Sequence, residues 1–270
     1  MLLTLLLACR TTMVSGADPG DNARREYGDL LAEVVTDDGS WTLAAPDHGQ
    51  ACHSKAGAWR EAVERYAVAA AVGERAAALG SLRLLDVGTG LGWNLAAARA
   101  RVTPTGATLE AVCLEREPTL WRAAPALAER SGPGPWSPWY EETAAALAGT
   151  AEVPADLALD LRPGDARATV RELLAEERRF DAVFLDAFSP AVEPDLWSAG
   201  FLADLADLLA DGGLLTTYTV SLTVRERLAR AGLQVGTGPR VGTKAGGTHY
   251  LQNFLDARVI AERTIRRGFT

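Results

Sequence analysis

A glycine-rich turn between an apolar strand and a helix is the feature that most restricts the fold of this chain. Residues 84–94 read LLDVGTGLGWN, so Gly88, Gly90 and Gly92 stand at alternate positions directly after the apolar run. Glycine lets a backbone turn sharply and approach a ligand without a clashing Cβ. The helix after the turn would offer free N–H groups at its N-terminus. The sequence therefore predicts a strand–turn–helix unit that carries a binding loop.

Segments with strand and helix patterns alternate through most of the 270 residues. This alternation predicts an α/β fold with a mainly parallel sheet. Residues 57–79 have apolar positions at helical spacing and predict one helix. Near the end of the chain, LQVGTG and THYLQNF predict an antiparallel hairpin. Five further segments are predicted as strands: 82–88, 107–115, 155–161, 180–188 and 214–220.

The chain divides into four predicted regions. Its opening, MLLTLLLACR, resembles the stub of a signal sequence, but the apolar run is short and no basic residue precedes it. Residues 1–28 are therefore expected to be an extension that is disordered or mis-started, with Met13 as an alternative start. The other predicted regions are an N-terminal hairpin and helix at 29–80, the α/β core at 81–257 and a basic tail at 258–270.

Acidic residues follow three successive predicted strands. Asp86 precedes Gly88 by two residues, Glu115 ends the second strand, and Asp165 follows the third strand in RPGDAR. Open α/β sheets bind ligands at the carboxyl ends of their strands, so these acids are expected at one edge. Each acid taken alone is better explained as a solvated side chain or a helix N-cap. Together with the glycine loop they indicate a ligand site.

The pattern Asp-x-Gly-x-Gly-x-Gly resembles motif I of S-adenosyl-L-methionine-dependent methyltransferases more closely than the Gly-x-Gly-x-x-Gly of dinucleotide folds. This resemblance implies a Rossmann-like class I fold, with a mainly parallel seven-stranded sheet, helices on both faces and a C-terminal antiparallel hairpin. It also implies that S-adenosyl-L-methionine is the cofactor. By this resemblance, residues 86–92 would cradle its amino-acid part, Glu115 would accept hydrogen bonds from the ribose hydroxyls, and Asp165 would bind the adenine amino group.

A second motif, FLDAFSPAVEPDLW at 184–197, narrows the resemblance. It is similar to the methyltransferase domain of the MnmC family, which completes 5-methylaminomethyl-2-thiouridine at the wobble position of tRNA. The segments TDDGSWTL and CHSKAGAWREA are also similar to that family, so the resemblance covers about residues 34–254. Matches to the family pattern Asp-Gly/Ala-Phe-x-Pro and Pro-Asp-x-Trp are Asp186, Ala187, Phe188, Pro190, Pro194, Asp195 and Trp197.

Two features depart from the MnmC pattern. The basic Lys-Arg-Glu-Met stretch of the family corresponds here to GTKAGGTHYL, which has one lysine. The flavin-dependent oxidase half of bifunctional MnmC is not expected in this chain, so the implied activity is methylation only. Three hypotheses follow: an amine methyltransferase acting on tRNA, one acting on a small-molecule amine, and a non-catalytic cofactor-binding protein.

Asp186, at the carboxyl end of the fourth predicted strand, is the candidate catalytic residue. Transfer of a methyl group to nitrogen needs a neutral amine, and a nearby carboxylate can take the proton that the amine carries. Phe188 and Pro190 would form the wall of the substrate pocket, and Tyr218 would stack on a base or donate a hydrogen bond. The alternatives are a turn-capping role for Asp186 and a core position for Tyr218.

The charge distribution bears on the partner. A net charge of −8 argues against a protein that simply coats nucleic acid. Residues 220–270 nevertheless carry nine Lys and Arg against three acids, a net charge of +6, so the first 219 residues sum to −14. This Arg-rich C-terminal region is predicted to contact the phosphates of tRNA. A solvated helix face is the alternative.

The cysteines and histidines indicate the compartment and argue against a metal site. The three cysteines form no Cys-x-x-Cys pair and no even disulfide framework, which favours a reducing, cytoplasmic location. The three histidines are scattered without the spacing of metal ligands, so no metal is expected. No stretch reaches the roughly 18 apolar residues of a membrane helix, and the sequence does not indicate an oligomeric state.

Overall fold

The computed structural model describes residues 32–45, 50–237, 241 and 255–259. The predicted extension at 1–28, the THYLQNF segment of the predicted hairpin and most of the predicted basic tail lie outside the described residues. The strands of the described part are β1 (Ala32–Val35), β2 (Trp41–Ala45), β3 (Gln50–Ala51), β4 (Ser81–Val87), β5 (Thr108–Glu115), β6 (Leu157–Pro163), β7 (Phe180–Leu185), β8 (Leu209–Thr217), β9 (Leu233–Thr237) and β10 (Leu255–Val259).

The main sheet has the strand order β6-β5-β4-β7-β8-β10-β9. Strands β4 to β8 run parallel to one another, whereas β10 pairs antiparallel with both β8 and β9. The predicted mainly parallel sheet is confirmed, but only five of its seven strands are parallel. The last strand of the hairpin lies at 255–259, after the predicted THYLQNF. A separate antiparallel sheet, β1-β2-β3, precedes the core.

Helices cover both faces of the main sheet. The described residues contain α1 (Ala58–Glu61), α2 (Val72–Leu79), α3 (Trp93–Val102), α4 (Thr119–Ser131), α5 (Trp139–Leu147), α6 (Ala166–Ala175), α7 (Ala199–Asp207) and α8 (Leu222–Arg230). Successive strand residues point to opposite sides, so Leu84 packs in one buried cluster with α2 to α5. Leu85 packs in the other cluster with α6, α7 and α8.

The predicted single helix at 57–79 is wrong, because the segment has three parts. Helix α1 continues as a π-helical segment at Ala62–Val68. Ala71 then adopts a left-handed conformation with φ of 50°, and α2 begins at Val72. A π-helical turn is wider than an α-helical one and is often found at functional sites. Here this segment carries Tyr66, whose ring lies 5.5 Å from that of Phe184 on β7.

Strand β8 begins at Leu209, five residues before the predicted strand start. The sequence DGG at 211–213 has the composition of a turn, but it forms an irregularity inside the strand, opposite a register shift between Phe180 and Ala182. A Cβ at Gly213 would lie 2.9 Å from the carbonyl oxygen of Phe180, so only glycine fits this close approach. Because β8 ends at Thr217, Tyr218 stands just beyond its carboxyl end.

Candidate active site

The glycine loop after β4 lies against the carboxyl end of β7. Gly88, Gly90 and Gly92 have φ values of 80°, 52° and 82°. Residues other than glycine rarely adopt such values. A Cβ at Gly88 would lie 2.8 Å from the carbonyl oxygen of Asp186. A Cβ at Gly92 would overlap the side chain of Leu147 on α5. The loop therefore makes the tight turns at its glycines that the sequence predicted, and it adjoins Asp186.

Glu115 is tied to the glycine loop. One oxygen of its carboxylate accepts a hydrogen bond from the backbone N–H of Gly90 at 2.8 Å, and the other accepts one from Glu117 at 2.8 Å. Burial raises the pKa of Glu115 above its usual range. The structure thus brings together the predicted binding acid of β5 and the loop after β4. Its role toward a ribose stays a prediction.

Asp86 is fully buried beneath the loop. Neither oxygen of its carboxylate has a hydrogen-bond partner among the described residues. Burial raises the pKa of Asp86 well above its usual range, and the nearby Asp186 raises it further. A buried polar group without a partner is costly and rare in folded proteins. An ammonium group would supply the missing donors, so Asp86 and the open glycine loop fit the amino-acid part of S-adenosyl-L-methionine.

Replacing Asp86 by asparagine is expected to separate cofactor binding from stability. Asparagine keeps the shape of the side chain and carries no charge to bury, so the free energy of unfolding at pH 8 should not fall. Loss of the carboxylate should weaken binding of S-adenosyl-L-methionine about tenfold or more, the effect of one charge-assisted hydrogen bond. Titration calorimetry and thermal unfolding measure the two quantities. Unchanged cofactor affinity would contradict the role given to Asp86.

Asp186 is held by two donors at the carboxyl end of β7. The Tyr66 hydroxyl donates to Oδ1 at 2.6 Å, and the Asn94 amide donates to Oδ2 at 2.7 Å. Burial raises the pKa of Asp186 to about 7, and the negative charge of Glu61 adds to this, while the two donors and Arg65 act in the opposite direction. The carboxylate can therefore gain or lose a proton near neutral pH, as a general base must.

Four residues around Asp186 were not predicted from the sequence. Glu61 and Arg65 form a buried ion pair within α1 and its continuation, and Arg65 also donates to the carbonyl of Val241 at 3.1 Å. Glu61 and Arg65 are four residues apart in the sequence, a spacing that indicates an ion pair on one face of a helix. Asn94 was also visible as a polar residue in the first turn after the glycine loop. Tyr66 occupies an apolar position of a predicted helix, so its pattern indicated only core packing.

The turn after Asp186 is fixed by hydrogen bonds. The backbone N–H of Phe188 donates to Glu193 at 3.0 Å, and its carbonyl accepts from the indole of Trp197 at 2.7 Å. The Tyr218 hydroxyl donates to the carbonyl of Ala187 at 2.9 Å. These contacts fix the turn that carries Phe188 and join Tyr218 to the residue after Asp186. The predicted pocket residues Phe188, Pro190 and Tyr218 are all partly buried. Their contact with a substrate stays a prediction.

Asp165 lies apart from these contacts, although it follows β6 at the same edge. Its carboxylate is exposed and accepts from the backbone N–H of Arg167 at 2.9 Å, as a helix N-cap does. The Arg167 guanidinium also pairs with it and lowers the pKa of Asp165. Local structure is therefore sufficient to explain this acid, and its contact with adenine stays a prediction.

The three arginines of α8 are engaged by the protein. Arg227 donates to the carbonyl of Trp197, and Arg230 pairs with Glu226 at 2.7 Å. Arg225 donates to the carbonyl of Gly236 at 3.4 Å. Within the described ranges, no group of three or more His, Cys, Asp or Glu side chains is arranged to hold a metal ion. The helices of these ranges also include none long and apolar enough to cross a membrane.

Comparison with known proteins gives matches over most of the chain. A family model described as S-adenosyl-L-methionine-dependent methyltransferase matches residues 135–253. The tRNA 5-methylaminomethyl-2-thiouridine biosynthesis bifunctional protein MnmC of Pseudomonas paraeruginosa is 37% identical over 193 residues, which cover 65% of this chain and 29% of that protein. An uncharacterized protein of Methanocaldococcus jannaschii is 28% identical over 261 residues, covering 92% of this chain and 70% of that protein.

Two solved structures are similar in fold. MnmC2 from Aquifex aeolicus has a TM-score of 0.71 at 29% identity, and the match covers 94% of this chain and 83% of that one. Spermidine synthase from Thermotoga maritima has a TM-score of 0.55 at 13% identity, covering 87% of this chain and 71% of that one, and shows the fold alone. The chain spans less than a third of the bifunctional Pseudomonas protein, at 29% of its length.

Proposed function

We propose that this chain, which is an MnmC-type methyltransferase domain dependent on S-adenosyl-L-methionine, methylates the aminomethyl group of a wobble uridine in tRNA. The predicted enzyme class and cofactor are confirmed by the family match over residues 135–253 and by the MnmC relatives. The acceptor, 5-aminomethyl-2-thiouridine, is the proposal. Such a reaction would take place in the cytoplasm.

The observation that carries this proposal is the position and protonation of Asp186. Its carbonyl oxygen adjoins the glycine loop, 2.8 Å from where a Cβ of Gly88 would lie. Its carboxylate has a pKa of about 7. An aminomethyl nitrogen is largely protonated near neutral pH and cannot attack until it loses a proton. A carboxylate beside the cofactor loop that can take that proton suits an amine acceptor.

Different residues of the site bind the cofactor, accept the proton and exclude water. Bound S-adenosyl-L-methionine supplies an electrophilic methyl group. Asp86 and the glycine loop would hold the amino-acid part of the cofactor, and Glu115 its ribose. Asp186 accepts the proton of the acceptor amine and holds the nitrogen by a hydrogen bond, so that its lone pair is free to form the new bond. Phe188 and Pro190 would exclude water from the pocket, and orientation supplies much of the rate.

We also propose that tRNA binds through phosphate contacts of the Arg-rich C-terminal region, which carries a net charge of +6. Phosphate contacts give affinity and register, whereas an aromatic pocket takes the extruded base. A small-molecule amine is the second candidate acceptor. It is favoured by the net charge of −8 and by the described arginines at 225, 227 and 230, which are engaged within the protein.

The test compares acceptor classes with labelled S-adenosyl-L-methionine. The chain is incubated either with tRNA that lacks only the final methyl group or with a panel of small primary amines. Label should enter the tRNA, and the rate at low tRNA concentration should fall steeply as salt is raised, because counterion release drives phosphate binding. Transfer to small amines alone would favour the second candidate. Cofactor binding without transfer to any acceptor would indicate a non-catalytic protein.

A further inference from the structure

We infer that Tyr66 and Asn94 are positioning residues, which hold both oxygens of Asp186 in the orientation that accepts the proton of the acceptor amine. The inference rests on the proposed function, because it gives these two side chains a part in the same transfer. Neither residue was among the predicted site residues: Tyr66 lies in the π-helical segment after α1, and Asn94 lies in the first turn of α3.

The two donors fix the plane of the carboxylate. Tyr66 binds Oδ1 at 2.6 Å and Asn94 binds Oδ2 at 2.7 Å. Rotation about the Cβ–Cγ bond of Asp186 would break both hydrogen bonds together. A carboxylate oxygen has two acceptor positions, so each oxygen keeps one for an incoming donor. The arrangement therefore fixes the directions from which Asp186 can accept a proton.

Both donors are buried, and each has little else to bind. Tyr66 is fully buried against Phe184. Phenylalanine would fill the same space, so packing does not account for the hydroxyl group of Tyr66. The only hydrogen bond of that hydroxyl in the described structure is to Asp186. Asn94 is 2% exposed, and its Oδ1 has no partner in the same part of the chain. A buried amide satisfied only through Asp186 is costly for packing alone.

The two donors favour the ionised form of Asp186 against burial and the negative charge of Glu61. The Glu61–Arg65 ion pair acts on Asp186 with opposite signs. Four other titratable groups face Asp186, and burial is the chief cause of the raised pKa of each: Cys52 before α1, Tyr66 itself, Asp86 on β4 and Tyr218 after β8. Burial favours the neutral acid, and the two hydrogen bonds favour the carboxylate.

Removing one donor should therefore raise the pKa of Asp186 above about 7. If the pKa of Asp186 rises by about one, roughly a tenth of the Asp186 side chains are ionised at pH 7, whereas about half are ionised in the wild type. Tyr66→Phe should then transfer methyl groups about fivefold more slowly at pH 7 and near the wild-type rate at pH 9. The acid limb of kcat/KM against pH should move to higher pH by the same amount.

The experiment measures this pH profile together with a direct titration of Asp186. The chain is labelled with carbon-13 at aspartate carboxyl groups, and the Asp186 signal is the one missing from Asp186→Asn. Tyr66→Phe and Asn94→Leu remove one donor each. Asn94→Asp keeps the side-chain shape and adds a like charge, so it should raise the pKa of Asp186 most. Tyr140→Phe is the matched control, because its buried hydroxyl has no partner among the described residues.

The outcomes separate this inference from the proposed function. A rise of both the acid limb and the carbon-13 pKa in the three test variants, with Tyr140→Phe unchanged, supports it. Equal loss of activity at every pH with an unchanged carbon-13 pKa overturns it and assigns a packing role. If the wild-type chain transfers no methyl group while the carbon-13 pKa still rises, the proposed function fails and control of Asp186 by the two donors stands.

Discussion

Replacing Asp186 by asparagine should reduce methyl transfer by about 10²- to 10⁴-fold, the usual contribution of a general base. Asparagine cannot take the proton of an amine, although it fills the same space. The affinity for S-adenosyl-L-methionine should change little, because Asp186 is expected to bind the acceptor. Single-turnover rates measure the chemical step, and calorimetry measures the affinity for the cofactor. Wild-type turnover in this variant would remove Asp186 from the mechanism.

Asp195→Asn is the matched control for this change. Asp195 lies in the same motif, but its carboxylate is 68% exposed and pairs with Arg167 at the surface. Exposed ion pairs contribute little to stability. This variant should therefore keep the wild-type rate and the wild-type unfolding temperature. A loss of rate equal to that of Asp186→Asn would show that any change in the turn disturbs the site.

Asp186→Asn should also stabilise the folded chain at pH 8. The pKa of Asp186 is about 7 when folded, above the value of about 4 expected in an unfolded chain. The folded state therefore binds a proton that the unfolded state releases, so the penalty on stability appears as the pH rises from about 4 to about 7. Thermal unfolding at pH 8 should show a higher midpoint for the variant, with little difference at pH 4. A lower midpoint at pH 8 would contradict the raised pKa.

Replacing Gly88 by alanine should damage both the cofactor site and the fold. A Cβ at this position would lie 2.8 Å from the carbonyl oxygen of Asp186 and 3.0 Å from its carbonyl carbon, and both atoms belong to backbone that cannot rotate away. The glycine loop and the end of β7 must then separate. A misplacement of about 1 Å can cost 10²-fold in rate. We expect a loss of cofactor affinity and of rate of at least that order, measured by calorimetry and by turnover.

Gly106→Ala is the control that distinguishes the effect of a close contact at the added Cβ from the effect of backbone strain. Gly106 has a φ of 79°, almost equal to the 80° of Gly88, but no atom of the described residues lies within 4 Å of its hypothetical Cβ. Both variants carry the strain of a left-handed residue, about 1–2 kcal/mol. Gly106→Ala should lose that stability and keep cofactor affinity and rate. Equal damage by the two variants would show that strain alone explains the glycine at position 88.

The glycine loop and the acids at the carboxyl edge of the sheet could be placed because these residues follow strands directly in the sequence. Asp86, Glu115 and Asp186 each lie at or just after an apolar strand, and parallel strands bring their carboxyl ends to one edge. The same reasoning placed Asp165 in the group. It could not show that Arg167 two residues later would engage this carboxylate at the helix start.

The partners of Asp186 could not be predicted, because their positions depend on long-range packing. Tyr66 is 120 residues away and Asn94 is 92 residues away along the chain. The apolar spacing at 57–79 predicts one straight helix, whereas a π-helical segment orients Tyr66. Likewise, DGG has the composition of a turn, and only the pairing of β8 with Phe180 shows that it continues a strand. Local composition does not contain this information.

Identification of the methylated nucleoside tests the proposed chemistry most directly. Undermodified tRNA would be incubated with labelled S-adenosyl-L-methionine and either the wild-type chain or Asp186→Asn, then digested and analysed by mass spectrometry. We expect label only in 5-methylaminomethyl-2-thiouridine with the wild-type chain and almost none with the variant. Label on any other nucleoside, or equal labelling by the two proteins, would contradict an amine acceptor held by Asp186.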